Sequence, residues 1–306
     1  MNAAGLRLVG SVPVVVRDGV PSEASDAYVK DHPHGSSYHR QRWTGVIQNA
    51  FRHETKYLTA EADGAIVGVL PLVFFRSRVF GRFTVSMPFL NYGGVLADTP
   101  DAAQALLGRA IEETRRRGGS HLELRHDRQQ FPSLTPKRHK VAMELRLETS
   151  ADAQWLVLDR KLRNQVRKAE KSALTVQDGG PELLPQFYEV FARNMRDLGT
   201  PVYSATFFRE TLAAFPEHSR ILVVTHEGHP IAASLVHWYG QRIEVPWASA
   251  LREFNPLCAN VFLYWQMLRF AIARRCHVFD FGRSTPGEGT YQFKKQWGAE
   301  ARELVW

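Results

Sequence analysis

Residues 278–297 read VFDFGRSTPGEGTYQFKKQW and carry the strongest pattern in the chain. Their first residues are β-branched or aromatic on either side of Asp280, which predicts a short strand. Three glycines and a proline follow and predict a loop with special backbone angles, and a helical turn then carries Lys294 and Lys295. A glycine-rich corner at the end of a strand frees backbone N–H groups for a ligand, and ammonium groups one turn later can neutralise an anion. We therefore expect a functional site at this corner.

Residues 279–300, FDFGRSTPGEGTYQFKKQWGAE, resemble the C-terminal motif of FemAB-like acyltransferases, in particular the branch associated with exosortase/PEP-CTERM and exopolysaccharide systems. The resemblance lies in the aromatic–Asp–aromatic–Gly–Arg–Ser order, the glycines and the Phe-Lys-Lys-x-Trp-Gly run. It implies two tandem domains of the GNAT acetyltransferase fold. It also implies the transfer of acyl groups, classically amino acids from aminoacyl-tRNA, to amines.

The predicted elements repeat across the two halves of the chain, with corresponding elements about 160 residues apart. The matched pairs are the strands Ala65–Phe75 and Pro230–Tyr239, the helices 101–117 and 260–274, and the strands His121–Arg125 and His277–Phe281. We therefore expect an α/β (α+β) protein with two tandem domains, 1–150 and 151–306. Each is expected to be a mixed, mostly antiparallel sheet flanked by helices, which the resemblance identifies as GNAT-like.

Local patterns in the first half predict where two elements begin. Val12, Val14 and Val16 alternate within residues 1–20, which predicts an edge strand or an extended arm. Thr99 and Pro100 have the chemistry of a helix start, so we expect a helix that runs to about residue 117.

Composition describes an ordinary globular chain of 306 residues with a net charge of +8. This excess suits an anionic partner such as tRNA, a nucleotide, a phosphorylated lipid or a membrane surface, although a basic proteome gives the same value. No apolar stretch approaches the length of a membrane span, and the two cysteines form no paired framework. We expect a cytoplasmic protein without a transmembrane segment, with peripheral membrane contact left open.

A basic helix is predicted at residues 158–174, LDRKLRNQVRKAEKSAL. Arg160, Arg163, Arg167 and Lys171 fall on one face and repel one another, as expected of a surface that receives phosphates. The alternative is a solvated helix face between domains. FemAB-like proteins carry a similar run near the acceptor's phosphates, and this resemblance favours Lys161, Arg163 and Arg167 as substrate-binding residues.

The loop 282–290 is neither a Walker A loop nor a nucleophile elbow, because the required lysine and final glycine are missing. Without the resemblance it could be a bare turn. With the resemblance, Arg283, Ser284 and Thr285 become expected ligand contacts, and Tyr291 joins them as a substrate-binding residue. Asp280 is either a structural acceptor or a polar group of the site.

Lys294 and Asp280 are the expected catalytic residues. FemAB-like proteins place a lysine after the phenylalanine of this motif near the donor's carbonyl, which implies this role for Lys294. A cation aimed at the developing oxyanion contributes roughly 3–4 kcal/mol in comparable sites. Neighbouring helical residues point about 100° apart, so Lys295 is expected at the surface.

In the first half, Asn91 and Tyr92 lie at a predicted strand break before Gly93-Gly94, and Tyr38 lies before an early helix. We expect these three side chains to contact substrate, although the glycines alone could mark a β-bulge. The twelve histidines lack partners at zinc spacing, so we expect no metal.

The donor stays open between aminoacyl-tRNA and acyl-CoA, with no permanently bound cofactor. Typical GNAT enzymes hold the CoA pyrophosphate with an R/Q-x-x-G-x-G/A loop, and neither GGVLADTPDAA (93–103) nor ALREFNPLCAN (250–260) contains it. This absence favours aminoacyl-tRNA. The chain also lacks the long helical arm that some FemAB-like members insert for tRNA, and this second absence argues against aminoacyl-tRNA.

We therefore expect an N-acyltransferase in which an acceptor amine attacks the donor directly. Lys294 and loop amides near 282–284 would stabilise the oxyanion, and a carboxylate, a histidine or the donor would take the proton. The acceptor is expected in cell-envelope or exopolysaccharide biosynthesis, as a small molecule or linked to a lipid or nucleotide. The alternatives are an acyl-CoA-dependent GNAT N-acyltransferase and a non-catalytic protein that binds an anionic ligand.

Overall fold

A computed structural model describes residues 13–306, which form two β-sheets flanked by helices. Val12 lies outside the described residues. The first sheet has the strand order β1-β2-β3-β4-β6, with β5 paired to β3. Its strands are β1 (Val15–Asp18), β2 (Glu54–Ala62), β3 (Ala65–Ser77), β4 (Gly81–Val85), β5 (Leu96–Ala97) and β6 (Leu122–Glu123).

Between residue 13 and the end of the first half, the α-helices are α1 (Ser22–Asp31), α2 (Arg42–Phe51) and α3 (Pro100–Arg116). The predicted start of α3 is confirmed, because the Thr99 side chain accepts a hydrogen bond from the Ala102 N–H at 3.2 Å. This bond satisfies one of the free N–H groups at the helix start. The apolar face of α3 then packs against β2 and β3 through residues such as Leu106 and Ala110.

The second sheet has the order β13-β7-β12-β11-β10-β9-β8. Its strands are β7 (Val141–Arg146), β8 (Thr175–Gly179), β9 (Ser219–His226), β10 (His229–Tyr239), β11 (Arg242–Ala250), β12 (Val278–Ser284) and β13 (Glu300–Glu303). The helices of this half are α4 (Ala151–Val157), α5 (Arg160–Lys171), α6 (Leu184–Asp197), α7 (Ala205–Ala214), α8 (Ala259–Ala273) and α9 (Gly289–Gln296).

The predicted repeat is confirmed by the topology. In each half a run of antiparallel strands ends in one parallel pair, β4 with β6 and β11 with β12. The helix that precedes the last strand of each pair is α3 in the first half and α8 in the second. Parallel neighbours need a crossover connection of this kind. The predicted α/β (α+β) architecture of two mixed sheets is therefore correct.

The division between the sheets does not coincide with the predicted domain boundary at residue 150. Strand β7 precedes that boundary but lies between β12 and β13 in the second sheet. Its residues Val141, Met143 and Leu145 are buried in the core of the second half. In the other direction, Val305 exchanges two backbone hydrogen bonds with His126 of the first half, at 2.9 and 3.0 Å. The chain therefore crosses between the halves in both directions.

An apolar core joins the two halves. The ring of Trp43 on α2 lies 4.7 Å from that of Phe215, and the ring of Phe51 lies 5.0 Å from that of Phe207 on α7. Contacts of this size make the halves one packed unit around the cleft between them. No helix among residues 13–306 has the length and apolar character needed to cross a membrane.

Candidate active site

The site lies where the parallel strands β11 and β12 separate. Glu244 lies opposite Asp280 in the last pair of their parallel register. Residues paired in this way point to the same face of a sheet, so two buried carboxyl groups lie side by side. Beyond this pair the register of β12 against β7 shifts, and Gly282 adopts a φ of 74°, which favours glycine.

Glu244 is buried and is covered by two side chains from the first half. Its carboxyl group accepts a hydrogen bond from the Tyr38 hydroxyl at 2.6 Å and another from the Asn91 amide. Burial, and then the negative charge of Asp280, raise the pKa of Glu244 to about 8. A carboxyl group with this pKa can exchange a proton near neutral pH.

Asp280 is held by three donors. Its carboxylate accepts hydrogen bonds from the Tyr92 hydroxyl at 2.5 Å, from Arg242 Nη2 at 2.7 Å and from the Gly282 N–H at 2.8 Å. The expectation of a free oxyanion donor is therefore wrong for the Gly282 amide, which is already bound to Asp280. These three hydrogen bonds hold the Asp280 carboxylate in place at this corner.

A chain of ion pairs extends from this corner across the second sheet. Arg242 bridges Asp280 and Glu144, and Arg302 binds Glu144 and Asp127. Burial alone would lower the pKa of Arg242, but the nearby carboxylates raise it above its usual value. The pairs thus keep Arg242 charged inside the protein.

Lys294 is buried on α9 behind the Gly282 corner. Its ammonium donates to the carbonyl oxygens of Gly282 and Arg283 at 3.1 and 2.8 Å. An ammonium has three N–H groups, so one remains for another acceptor. Burial lowers the pKa of Lys294 to about 8, against the opposing effect of Asp280. Lys295 is exposed.

Arg283 is half-buried against Trp306, with its guanidinium 5.0 Å from the ring centre. The Arg125 guanidinium lies 4.6 Å from the centre of the same ring. Burial, and then the charge of Arg125, lower the pKa of Arg283. Within the described part of the chain Arg283 makes no ion pair, so its charge is not neutralised by direct contact with a carboxylate.

The other predicted loop residues are spread along β12 and α9. The Ser284 hydroxyl is buried and has no hydrogen-bond partner among residues 13–306, and Thr285 accepts a hydrogen bond from Lys140 Nζ at 2.6 Å. Tyr291 is half-buried against the core of the second half. None of these three residues lines the cavity described next.

A cavity of about 350 Å³ opens between the halves at the carboxyl pair. Its walls include the predicted residues Tyr38 and Tyr92 from the first half, and Glu244 from the second. Gly94 belongs to the same wall, and a Cβ atom there would lie 2.3 Å from the ring of His126, so only glycine fits. Further lining residues include acidic Asp127, several glycines and serines, and the basic or aromatic residues Arg125, Arg128, Arg242, Arg302, His237 and Tyr239.

His237 joins the two halves at the back of the cavity. Its ring nitrogens lie 2.5 Å from the Ser37 hydroxyl and 2.9 Å from the Ser219 hydroxyl. Ser37 also accepts a hydrogen bond from the Trp43 indole at 3.2 Å. Burial lowers the pKa of His237 to about 3, so this ring is neutral at pH 7 and is a weak base.

Comparison with known proteins matches this geometry to one fold. A family profile described as an acetyltransferase (GNAT) domain matches residues 159–295. The structure of FemX is similar over 95% of this chain and 96% of that chain, with a TM-score of 0.74 and 15% identity. The chain has the tandem GNAT fold.

Two further solved structures share this fold at low sequence identity. L-PGS from Bacillus licheniformis gives a TM-score of 0.63 with 12% identity, over 94% of this chain and 91% of that chain. A tandem GNAT protein from the clavulanic acid biosynthesis pathway gives 0.58 with 11% identity, over 96% and 97%. No curated protein sequence matches the chain.

The basic face of α5 lies outside the interdomain cavity of this tandem GNAT fold. Leu162, Val166 and Ala169 bury the opposite face of the helix in the core of the second half. Lys161 and Arg167 are exposed, Arg163 is half-buried, and none of the three lines the cavity. Their predicted role in substrate binding stays a prediction.

The sequence analysis missed Glu244, one member of the carboxyl pair, and Arg242, which binds the other member, Asp280. The signal was present in QRIEVPW, residues 241–247, where two charges alternate with apolar residues in a central strand. A charge on a strand buried on both faces needs a partner, and Asp280 with its neighbours supplies it. Among residues 13–306, no three His, Cys, Asp or Glu side chains lie close enough to hold a metal ion.

Proposed function

We propose that this protein is an N-acyltransferase that moves an acyl or aminoacyl group to an amine in the interdomain cavity. The observation that carries the proposal is Glu244, a carboxyl group with a raised pKa that lines the cavity at the divergence of β11 and β12. Tyr38 and Asn91 of the first half donate hydrogen bonds to its carboxyl group. A buried acid–base group at the wall of a cleft between domains is typical of a catalytic site.

In the proposed reaction the acceptor amine attacks the carbonyl carbon of an activated ester or thioester. The C–N bond forms as Glu244 takes the amine proton, and the bond to the leaving oxygen or sulfur then breaks. The leaving group takes the proton back from Glu244, which restores the enzyme. Proton transfer of this kind contributes about 10²–10⁴-fold to a rate. Attack is direct, without an acyl-enzyme.

Lys294 is the proposed donor to the oxyanion that forms on the attacked carbonyl. Two of its N–H groups bind the Gly282 and Arg283 carbonyls, and the third is assigned to the substrate. Asp280 is the proposed positioning residue, because it orients Tyr92, Arg242 and the Gly282 turn.

The proposed substrate carries negative charge. Arg283 is a half-buried cation without an ion pair among the described residues. Arg125 and Arg128 line the interdomain cavity, where they pair with Glu123 and Asp127. Ser284, next to Arg283 on β12, and Thr285, just after the strand, are further proposed substrate contacts beside the cavity. The motif at residues 279–300 supports an acceptor from cell-envelope or exopolysaccharide biosynthesis, in the exosortase/PEP-CTERM-associated branch of FemAB-like proteins.

An aminoacyl-tRNA is the first proposed donor, supported by the likeness to FemX and by the missing pyrophosphate loop at both predicted junctions. An acyl-CoA is the second. It is favoured by the GNAT acetyltransferase profile over residues 159–295 and by the tandem GNAT neighbour, whose description refers to a form without AcCoA.

The experiment is to incubate the protein with amine-containing cell extract and either charged tRNA pools or acyl-CoA pools. Enzyme-dependent amide products are then identified by mass spectrometry. We expect products with one donor pool, and a loss of about 10²-fold or more in Glu244→Gln and in Lys294→Ala. The matched controls are Glu189→Gln and Lys295→Ala, since both positions are exposed. Absence of amide product with both pools, or full activity in Glu244→Gln, would overturn the proposal.

A further inference from the structure

A second cavity, of about 500 Å³, lies in the first half beside the interdomain cavity. It is enclosed by α3, β6, the segment 129–137 and the residues that follow β13. Its lining is largely apolar and includes Leu107, Ile111, Leu124, Phe131, Leu134 and Val305. The volume is within the range of about 300–1,000 Å³ that is usual for small-molecule sites.

The two cavities share a wall. His126 and Gln130 line both of them. His126 accepts a hydrogen bond from the Val95 N–H at 3.0 Å, and burial lowers its pKa to about 4, so it is neutral at pH 7. Both cavities therefore border the same uncharged side chain, and a chain in the second cavity would lie next to the wall of the interdomain cavity.

The lining of the second cavity has one carboxylate, Glu123, and one ammonium group, on the exposed Lys137, and its many apolar residues suit an uncharged chain. Glu123 is paired with Arg125 at 2.9 Å and is not available to a ligand. Two polar atoms of the lining are buried without a partner among residues 13–306, the side-chain oxygen of Gln130 and the indole nitrogen of Trp306. One is an acceptor and the other a donor, which together match an amide link, with its own N–H and carbonyl, at the head of an alkyl chain.

We propose that this cavity holds the alkyl chain of an amphipathic substrate whose reactive group lies in the interdomain cavity. The inference rests on the proposed N-acyltransferase function and names its substrate class, a molecule with a medium-length unbranched chain. Burial of each methylene in an apolar site strengthens binding by about fourfold. The chain belongs either to the acyl donor or to a lipid-linked amine acceptor, and the two sources are separated by the experiment.

The test measures binding by isothermal titration calorimetry with the full chain and two homologous series. One arm uses n-alkylamines and the other uses acyl-CoAs, each from four to sixteen carbons. The arm that represents the natural source is expected to gain about threefold to fourfold in affinity per methylene, up to a plateau at the length that fills the cavity. The other arm is expected to show a flat series.

Two variants test the assignment to this cavity. Ile111→Trp fills it from the half-buried side of α3, and Leu134→Glu places a charge at a lining position that is 48% exposed and so tolerates the change. Both are expected to abolish the length dependence. Leu198→Trp is the control, because Leu198 is exposed and lines neither cavity.

The outcomes separate this inference from the proposed function. Flat affinity in both arms, or a length dependence that survives Leu134→Glu, would overturn the alkyl-chain site even where amide products form from short substrates. A length dependence that both variants abolish, in a protein that forms no amide with any donor, would support the site and overturn the acyltransferase proposal.

Discussion

Glu244 and Lys294 have pKa values near 8 for different reasons. Burial and the charge of Asp280 raise the pKa of Glu244, while burial lowers that of Lys294. The proposed reaction needs Glu244 deprotonated and Lys294 protonated. Both conditions hold together only in a narrow window around pH 8, where each group is partly in the required form.

We therefore predict a bell-shaped dependence of kcat/KM on pH with its maximum near pH 8. Lys294→Arg is expected to move the alkaline limb upward, because a guanidinium stays protonated. Glu244→Gln is expected to remove the acid limb and to lower kcat/KM by about 10²-fold or more. Steady-state rates between pH 6 and pH 10 check this. An acid limb that persists in Glu244→Gln would assign that ionisation to the acceptor amine instead.

The raised pKa of Glu244 also predicts how stability changes with pH. The folded protein holds a proton on Glu244 between pH 4.5 and about 8, whereas the unfolded chain has lost it. The free energy of unfolding therefore falls as pH rises through this window. Glu244→Gln carries no such ionisation and keeps a neutral side chain in the same place.

We predict that Glu244→Gln is more stable than the parent protein at pH 8.5, by about 1–3 kcal/mol, and similar in stability at pH 5. Urea unfolding at the two pH values measures the difference, with Glu189→Gln as the exposed control. A difference that stays constant from pH 5 to pH 8.5 would show that Glu244 has an ordinary pKa.

At the residue scale, sequence alone could predict the site residues that lie in a motif, in a loop or at a break in a strand. Tyr38, Asn91, Tyr92 and Asp280 were expected from a strand break, a loop and a motif, and the structure brings them together at one corner. Glu244 could not be assigned in the same way. Glu244 matters because it lies opposite Asp280. The two residues are 36 positions apart in the sequence, and only the register of β11 against β12 brings them together.

At the scale of elements, the basic helix α5 offers a test of the phosphate prediction. None of its cations makes an ion pair within the described range, so no ion pair relieves the repulsion among the positive charges on this face. Because the helix lies outside the cavity, we expect its charge to act on a polyanionic donor and not on a small acceptor.

We predict that Lys161→Glu together with Arg167→Glu weakens tRNA binding by about tenfold or more, and reduces the slope of log K against log salt by about 2. The KM for a small amine acceptor is expected to stay unchanged. Filter binding at several salt concentrations measures the first effect, with the exposed Arg209→Glu as the matched control. Equal tRNA affinity in the parent and the double variant would leave α5 as a solvated helix face.

Element types were predictable where local chemistry is strong. The start of α3 follows from Thr99 and Pro100, and the Thr99 side chain accepts the hydrogen bond expected of a helix start. Strands β8 and β13 were not predicted, because their residues are mostly exposed and carry little apolar alternation. Their pairing to β9 and β7 depends on neighbours far along the chain.

At the scale of the whole molecule, strand β7 connects the two halves more tightly than a linker would. It pairs with β12 on one side and β13 on the other, and it supplies Val141, Met143 and Leu145 to the second core. A fragment that begins at residue 151 lacks this strand, although the strand belongs to the sheet that contains the site. The exposed edges of β12 and β13 would then have unpaired backbone groups.

We predict that residues 151–306 alone do not unfold cooperatively, whereas residues 136–306 regain a cooperative transition of lower midpoint than the full chain. The longer fragment restores β7 but still lacks α2 and the His126 partner of Val305, so part of its apolar core faces water. Thermal unfolding followed by circular dichroism, with dye binding to detect exposed apolar surface, distinguishes the fragments. A cooperative transition of 151–306 at the midpoint of the full chain would place the domain boundary at residue 150 after all, and would mean that β7 contributes little to the second sheet.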